Sequence, residues 1–400
     1  MTLTFGLIFN ISFSAAPSLS TGRLALLLMT ILYARGAFPY LIQFARDYVA
    51  VFALFIFLIP FSMVWLIVND TIDNVMLSRA LWFFIFSILT SFLFICLSRF
   101  DLISAMAYYL GAVFIQAIFV YASVLYPDFR NWVDQVLINS GNIDFSEGVR
   151  FAGLSNGGGA GLSLQLSLGV AASLVIFSRP SSGFAKFLLV QIALIITIAT
   201  MFVGRTGFYI SILMMLGFIL LSGRLLFIAI SIVTLIFVLL PYITSDVGKR
   251  IELQDNNANF DRTVNWAFDL FISGKSSSAN ALVSGLSKVR ELSTTTLLIG
   301  SGRVIEYNGL NYSHHDSGYI HSLYSLGLPL SILFYFGLFY TYWKMLLPVR
   351  GKLKIIGLTL TLLVLLLEIK EPFIFKYTLP FFVLVYVYLA RFNFGEQRLT

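Results

Sequence analysis

Three histidines and an aspartate lie within eight residues of the chain, in the stretch NYSHHDSGYIH. His314, His315 and His321 are the only histidines among 400 residues, and Asp316 directly follows the first two. Imidazole titrates near neutral pH and a carboxylate accepts a proton from a hydroxyl, so this stretch can carry acid–base chemistry. Two other interpretations are open, namely a metal site built from His and Asp, or a polar loop without a chemical role.

A glycine-rich stretch that follows an arginine has the composition of a phosphate-binding site. The segment RFAGLSNGGGAG begins at Arg150, contains Gly157, Gly158 and Gly159, and leads into an apolar run. Glycine lets main-chain N–H groups approach a ligand, a helix start carries partial positive charge, and arginine donates two parallel hydrogen bonds. Together these features suit a pyrophosphate. The same glycines and serines would also let two helices pack closely, and the sequence leaves both interpretations open.

Two further arginines are candidates for binding the same anion. Arg205, in MFVGRTGFYI, lies where a short non-cytoplasmic turn normally lacks basic residues, although arginine at a span end often only reaches the membrane interface. Arg262 begins the stretch RTVNWAFDLF, in which Val264, Phe268 and Phe271 share one face of an amphipathic helix. Acidic residues nearby roughly balance the basic ones, so most of these charges are expected to be solvated or loosely paired.

Another charged group lies near the C-terminus, where LLLEIKEPF places Glu368, Lys370 and Glu371 between two apolar runs. Such charges often anchor a helix at the membrane interface, but charges between membrane spans are also candidates for a functional site. Lys370 and Glu371 are candidate substrate-binding residues, together with Tyr319 and His321 near the start of the preceding apolar run.

The composition is that of a membrane protein. Hydrophobic residues make up 58% of the chain and charged residues 11%, whereas soluble domains carry about a quarter charged residues. Runs such as YVAVFALFIFLIPFSMVWLIV reach the roughly 20 residues that cross a bilayer core. No Lys or Arg precedes the first apolar run, which favours a membrane segment over a cleaved signal peptide. The net charge of +7 fits cytoplasmic loops that hold the orientation, and we expect no nucleic-acid partner.

Hydropathy predicts an all-α polytopic membrane protein with about twelve transmembrane helices in a single membrane domain that covers the whole chain. The expected spans are residues 3–17, 22–43, 49–68, 80–98, 103–125, 159–178, 184–203, 206–221, 224–243, 318–341, 353–369 and 372–390. Arg35, Gly36 and Pro39 predict a kink or break in the second span. Two connections are long, 126–158 and 244–317, and the second is expected to contain amphipathic helices.

Basic residues in the short connections give the orientation, because Lys and Arg collect on the cytoplasmic side. With the N-terminus inside, the cytoplasmic turns and tail contain Arg46, Arg99, Arg179, Lys186, Arg224, Lys344, Arg350, Lys352, Lys354, Arg391 and Arg398. Both long loops then lie on the opposite face of the membrane, together with Arg205 and Asp316.

The order of these features resembles the O-antigen polymerase and O-antigen ligase superfamily, in particular its Wzy-type polymerases. The resemblance covers most of the chain: about twelve spans, two long periplasmic loops and a basic cytoplasmic side. Arg150 and Gly161 fit the family's pattern of arginine, ten residues and glycine, whereas Arg262 reaches Gly274 one residue late. The segments LLIGSG, HHDSGYIHSLYSLGLPLSILF and EIKEPF are similar to segments of the family.

The resemblance implies a GT-C-like inverting glycosyltransferase that needs no metal, cofactor or nucleotide sugar. A growing glycan on undecaprenyl pyrophosphate would pass to a sugar hydroxyl of a new lipid-linked repeat unit, and undecaprenyl pyrophosphate would leave. Positive charge from Arg150, Arg205 and Arg262 would stabilise this leaving group. The resemblance also implies the bacterial inner membrane, an active site that faces the periplasm, and a chain-length regulator protein as a partner.

The family pattern bears on the base as well. Ligases have a His, then Asn or Ser, a short apolar stretch and a Gly; counted back from Gly327, the His position holds Asp316. This departure favours a polymerase with Asp316 as base, and with His315 or His314 orienting it or contacting sugar. An O-antigen ligase is the nearest alternative, followed by a flippase or transporter of lipid-linked sugars and by a non-enzymatic scaffold. Transporters usually have paired repeats and mostly short loops, unlike this chain.

Overall fold

The chain is a mostly helical membrane protein. The computed structural model describes residues 1–68, 75–137, 151–156, 159–179, 181–222, 292–304, 313 and 315–396. In chain order the helices are α1 (Thr2–Phe9), α2 (Thr21–Asp47), α3 (Val49–Val68), α4 (Val75–Leu97), α5 (Leu102–Leu125), α6 (Pro127–Val136), α7 (Ala160–Phe177), α8 (Gly183–Val203), α9 (Arg205–Ser222), α10 (Thr294–Ile299), α11 (Gly318–Leu346), α12 (Gly351–Glu368) and α13 (Thr378–Glu396). Among the described residues, five helices are long and apolar enough to cross a membrane: α4, α5, α7, α8 and α11.

Most predicted spans that fall on described residues coincide with helices to within a few residues. Helix α3 has the predicted bounds, and α8 begins one residue before the predicted 184–203. Local capping explains the second case, because Ser182 Oγ accepts the Ala185 N–H (3.2 Å) at the start of α8. The predicted span 224–243 and the amphipathic stretch 262–271 lie outside the described residues, so the count of twelve spans stays a prediction.

The first predicted span, 3–17, is not one helix. Helix α1 has eight residues, about 12 Å at 1.5 Å per residue, which is less than half of a bilayer core. Asn10 ends it in the left-handed conformation, with φ 44°. The chain then turns back as an antiparallel hairpin of β1 (Ser12–Phe13) and β2 (Ala16–Ser20). The polar residues after α1 favour this turn, and a hydropathy average over the whole segment conceals them.

Helix α2 continues through the stretch where Arg35, Gly36 and Pro39 predict a kink or break, and runs from Thr21 to Asp47. In apolar surroundings no water competes for main-chain hydrogen bonds, so a helix tolerates such residues better than it does in water. The first long connection, 126–158, begins with the short helix α6, whose first residue is Pro127. Proline is favoured there because its missing N–H is not needed in the first turn.

The chain folds as two compact units. The first unit comprises Met1–Leu32 and Asp101–Gly274, and the second comprises Tyr33–Phe100 and Lys275–Thr400. In the first unit α7 is central: it packs against α5, α8 and α9, and it is buried along most of its length. In the second unit α13 is central and packs against α4, α11 and α12. Each unit is therefore built around one helix that neighbouring helices cover.

The second unit has a polar cluster at each end. At one end, Arg391 Nη1 donates to Asp47 Oδ1 (3.0 Å), and Tyr48 OH donates to Leu384 O (2.9 Å). Sequence analysis assigns this end to the cytoplasm because of Arg391 and its basic neighbours. The opposite end contains the start of α11 and the end of α12, where the predicted acid–base residues lie.

Candidate functional site

In the first unit, the glycine-rich start of α7 packs directly against the start of α9. A Cβ on Gly204 would lie 2.9 Å from Gly159 O, and a Cβ on Gly207 would collide with Ser163 O, so this contact requires both glycines. The Gly207 N–H also donates to Ser163 Oγ (3.1 Å). Arg205 is the first residue of α9 and therefore lies beside the start of α7. Both helix starts carry partial positive charge.

The chain that follows Arg150 is held near the same place. The Phe151 N–H donates to Phe202 O (3.2 Å), close to the end of α8. Gln116 in α5 donates through Nε2 to Ala152 O (2.8 Å). These two hydrogen bonds fix the segment after Arg150 beside the end of α8, and α9 begins two residues after that helix ends.

Asn156 attaches the glycine-rich stretch to the N-terminal hairpin. Its Nδ2 donates to Ser12 O (2.6 Å) and its Oδ1 accepts the Ser12 N–H (2.6 Å), as a neighbouring strand would. Gly159, directly before α7, has φ 67° and ψ −138°, a conformation that favours glycine. The stretch is thus fixed at both of its described ends.

Of the predicted pyrophosphate-binding residues, Gly159 and Arg205 lie near each other, because Gly204, directly before Arg205, packs on Gly159. The structure describes the helix that Arg205 begins and not its side chain. Outside the described residues lie Arg150, Arg262, Gly157 and Gly158. The geometry places the starts of α7 and α9 side by side, and the N–H groups in the first turn of a helix suit an anion.

In the second unit, Asp316 is exposed two residues before α11, and His315 is half-buried beside it. His315 Nδ1 accepts the Ser317 N–H (2.9 Å). Ser313 Oγ donates to His315 O (3.1 Å). The main chain on either side of Asp316 is therefore held in place while its carboxylate stays open to solvent. His314 lies outside the described residues.

His321 lies inside the second unit, with 4% of its surface exposed. Its imidazole makes a hydrogen bond to the main chain of His315 and interacts electrostatically with Arg79. The predicted substrate-binding residue thus connects the first turn of α11 to the segment that precedes this helix.

A buried carboxyl group, Glu368, ends α12 next to the start of α11, with none of its surface exposed. Glu368 Oε1 accepts from Tyr335 OH (3.0 Å), and Oε2 accepts the Ile374 N–H (3.0 Å). The Tyr335 hydroxyl also lies 2.9 Å from Ser322 Oγ and 3.2 Å from Gly318 O. A Cβ on Gly318 would collide with Glu368 Oε1. Glu368 thus joins three parts of the chain through one side chain.

Lys370 is exposed and Glu371 is half-buried, directly after α12. Glu371 forms an ion pair with Lys376, whose Nζ lies 4.8 Å from the ring centroid of Phe373. Because Glu368 touches Gly318, Lys370 and Glu371 lie at the same end of the unit as Asp316.

Tyr319 joins the same cluster from the first turn of α11. Its hydroxyl donates to Leu365 O (2.8 Å), and its ring centroid lies 4.7 Å from that of Tyr335. Tyr319 is half-buried.

Helix α11 is broken at Gly327, which has φ 76° and ψ 168° and precedes Pro329. A proline supplies no N–H, so the carbonyl of Ser325 loses its usual partner, and the break at Gly327 does the same for the carbonyl of Tyr324. The N–H groups of residues 301–302 donate to those two carbonyls, at 2.8 and 3.0 Å. The segment LLIGSG thus satisfies the main chain at the break.

The cluster has three further members that the sequence pattern does not single out: Arg79, Ser322 and Tyr335. Arg79 carries a signal, since it is a charge directly before the predicted span 80–98. It lies 5.8 Å from the ring centroid of Phe375 and interacts electrostatically with Glu368. Ser322 and Tyr335 are ordinary residues of an apolar helix, and only the packing shows their part in the cluster.

Within the described part of the chain, no three His, Cys, Asp or Glu side chains form a group that could hold a metal ion. No protein-family model matches the chain, and no curated protein is significantly similar to it. Each unit nevertheless has a distinctive geometry: two adjacent helix starts beside a glycine-rich stretch in the first, and an exposed aspartate in a fixed segment in the second.

Proposed function

We propose that the chain is a polymerase of lipid-linked glycan repeat units, of the O-antigen polymerase type. The bond between the anomeric carbon of the growing glycan and the pyrophosphate oxygen breaks, and its electron pair leaves with undecaprenyl pyrophosphate. A sugar hydroxyl of a new lipid-linked repeat unit attacks the opposite face of that carbon, so the configuration inverts. Asp316 takes the hydroxyl proton. No nucleotide sugar takes part.

The observation that carries this proposal is the meeting of three separated segments in the first unit. The chain after Arg150, Gly159 before α7 and the start of α9 at Arg205 lie together, although about fifty residues separate the first from the last. The leaving group is a pyrophosphate, and main-chain N–H groups, helix starts and guanidinium groups stabilise the negative charge that develops on it.

The second unit supports the proposal through its exposed carboxylate. A general base must reach the hydroxyl of a large glycan, and Asp316 is open to solvent while its neighbours Ser317 and His315 are fixed by hydrogen bonds. Around it, Lys370, Glu371 and Tyr319 offer charged and aromatic contacts for sugars. We propose that this end of the second unit faces the periplasm, on the outer side of the bacterial inner membrane. A chain-length regulator protein is the expected partner there.

The decisive experiment supplies the purified protein in lipid nanodiscs with a lipid-linked repeat unit and no nucleotide sugar. We expect a ladder of elongated products. Arg150→Ala, Arg205→Ala and Asp316→Ala should each lower the elongation rate by about 100-fold or more, because each removes a charge that acts on the transition state. Arg350→Ala is the matched control, since it removes an exposed arginine at the start of α12, the predicted cytoplasmic end.

If all three variants produced full-length ladders, these residues would not belong to the active site. In cells, a deletion strain should keep lipopolysaccharide that carries a single repeat unit and lose the longer chains. Loss of the single-unit product as well would identify a ligase or a flippase instead.

A further inference from the structure

We infer that Glu368 is a positioning residue that holds the segment carrying Asp316 in its working geometry. The inference rests on the proposed function, in which Asp316 is the base. Sequence analysis places Glu368 beside Lys370 and Glu371 as one of three similar charges. The structure separates it from them, because Lys370 is exposed whereas Glu368 is fully buried and hydrogen-bonded.

Glu368 cannot be the base itself. Both carboxylate oxygens already accept hydrogen bonds, one from Tyr335 OH and one from the Ile374 N–H, and none of the residue is exposed. A glycan hydroxyl therefore has no route to it. Its influence on the reaction passes through the groups that it touches.

Those groups lead directly to Asp316. Ser317 Oγ donates to the main-chain oxygen of Glu368 (3.4 Å), and Gly318 packs against Glu368 Oε1 with no room for a side chain. Ser317 and Gly318 are the two residues that follow Asp316, and Ser317 also donates its N–H to His315. The Glu368 side chain thus holds this segment through its packing on Gly318, while the main chain of Glu368 holds Ser317, which in turn donates to His315.

The carboxyl group also connects this segment to the turn after α12. Oε2 binds the main chain of Ile374, within the 3₁₀ turn Phe373–Phe375, and this turn follows Lys370 and Glu371. One buried side chain therefore sets the spacing between the base and two candidate sugar-binding residues. Misplacing a reacting group by about 1 Å can cost about 100-fold in rate.

Three substitutions separate shape from charge at this position. Glu368→Gln keeps the length of the side chain, and its amide can accept the Ile374 N–H and donate to the Tyr335 oxygen. Glu368→Asp is one methylene shorter and cannot reach both partners. Glu368→Ala leaves the buried Ile374 N–H without its acceptor and removes one of the acceptors of the Tyr335 hydroxyl. Positioning predicts that Gln works nearly as well as Glu, that Asp is intermediate and that Ala is the worst.

The first test measures elongation kinetics in nanodiscs. Glu368→Ala should lower kcat by about tenfold to 100-fold, because the base is misplaced. The KM for the lipid-linked repeat unit should change less than kcat, because the base is the group held most directly. The matched control is Tyr386→Phe, which removes a buried hydrogen bond to Leu353 O (2.6 Å) at the other end of α12. This control should lower the melting temperature and leave kcat unchanged.

A second test reads the position of the segment without any reaction. Cys96 is the only cysteine, so a Cys96→Ala, Asp316→Cys protein carries one thiol at the site of interest. Adding Glu368→Ala should change the rate of maleimide labelling several-fold, and adding Glu368→Gln should not. Gly318→Ala adds a methyl group that collides with Glu368 from the other side, so it should change the labelling rate in the same way. This variant replaces Glu368→Ala in the experiment if Glu368→Ala does not fold.

The inference is overturned if Glu368→Gln is as inactive as Glu368→Ala, because charge and not position would then matter. It is also overturned if Glu368→Ala keeps the wild-type kcat or leaves the labelling rate unchanged. Failure of the proposed function has a different signature: the wild-type protein produces no ladder, while the labelling experiment still reports on the role of Glu368 in holding the segment.

Discussion

The two units build their polar clusters from different parts of the residue. In the first unit main chain meets main chain: Gly204 packs on Gly159, and Gly207 packs on Ser163. In the second unit side chains converge on the buried carboxyl group of Glu368. An anion is bound best by N–H groups and helix starts, which require close main-chain approach, whereas moving a proton requires side chains. Adding a methyl group should therefore disrupt the packing of the first cluster, whereas removing a polar atom should disrupt the hydrogen bonds of the second.

The largest effect on stability should come from Gly207→Ala in the first unit. The new methyl group would collide with Ser163 O, so α7 and α9 must separate at their starts. We expect a loss of about 1–3 kcal/mol in the free energy of unfolding and no polymer. Thermal unfolding in detergent measures the first quantity and the nanodisc assay the second.

Gly183→Ala is the control for this experiment, because a methyl group at Gly183 meets nothing within 4 Å. It should keep the wild-type melting temperature. If the Gly207→Ala protein kept wild-type stability and wild-type elongation, the contact between α7 and α9 would not need close main-chain approach. That result would contradict the proposed difference between the two clusters.

Tyr335→Phe tests the second unit by removing one oxygen. Glu368 Oε1 then loses a donor inside the unit, and we expect a loss of about 1–2 kcal/mol in the free energy of unfolding. Tyr342→Phe on the same helix is the control. The Tyr342 hydroxyl is buried, and within the described part of the chain it has no hydrogen-bond partner, so its removal should be neutral or stabilising. Equal losses in both variants would contradict a cluster centred on Glu368.

The smallest effect on stability should come from Gly161→Ala, one residue into α7. A methyl group there meets nothing within 4 Å, and alanine favours a helix over glycine by up to about 1 kcal/mol. The melting temperature should hold or rise. If main chain in this region approaches a ligand, elongation should nevertheless slow several-fold, and unchanged elongation would exclude Gly161 from the binding surface.

Helix positions in this chain follow closely from the sequence where an apolar run ends in a clear local signal. Ser182 and Gly204 bound α8, and its predicted limits differ by one residue at one end only. The N-terminal segment lacks this clarity, because Asn10 and the serines after it interrupt a run that a hydropathy average treats as continuous. Composition over a window predicts that a helix exists, but single polar residues decide where the chain turns.

The candidate sites could be predicted in part for a related reason. Gly159 and Arg205 stand out in the sequence because glycine and arginine are uncommon inside apolar runs, and the structure places them near each other. Glu368 does not stand out from Lys370 and Glu371, since burial depends on packing between helices that are distant in sequence. The break in α11 at Gly327 depends on residues 301–302 in the same way.

Helix α4 contains a π-helical turn, Phe84–Leu89, and directly after it Thr90 Oγ1 donates to Ile85 O (3.0 Å), five residues earlier. Such a turn holds one extra residue, equivalent to about 100° of rotation about the axis. Above it Arg79 faces the ring of Phe375, and below it Ser91 Oγ reaches Phe381 O (3.3 Å). The extra residue rotates the first part of the helix relative to the rest. The number of residues in this single turn therefore sets the direction in which the Arg79 guanidinium faces.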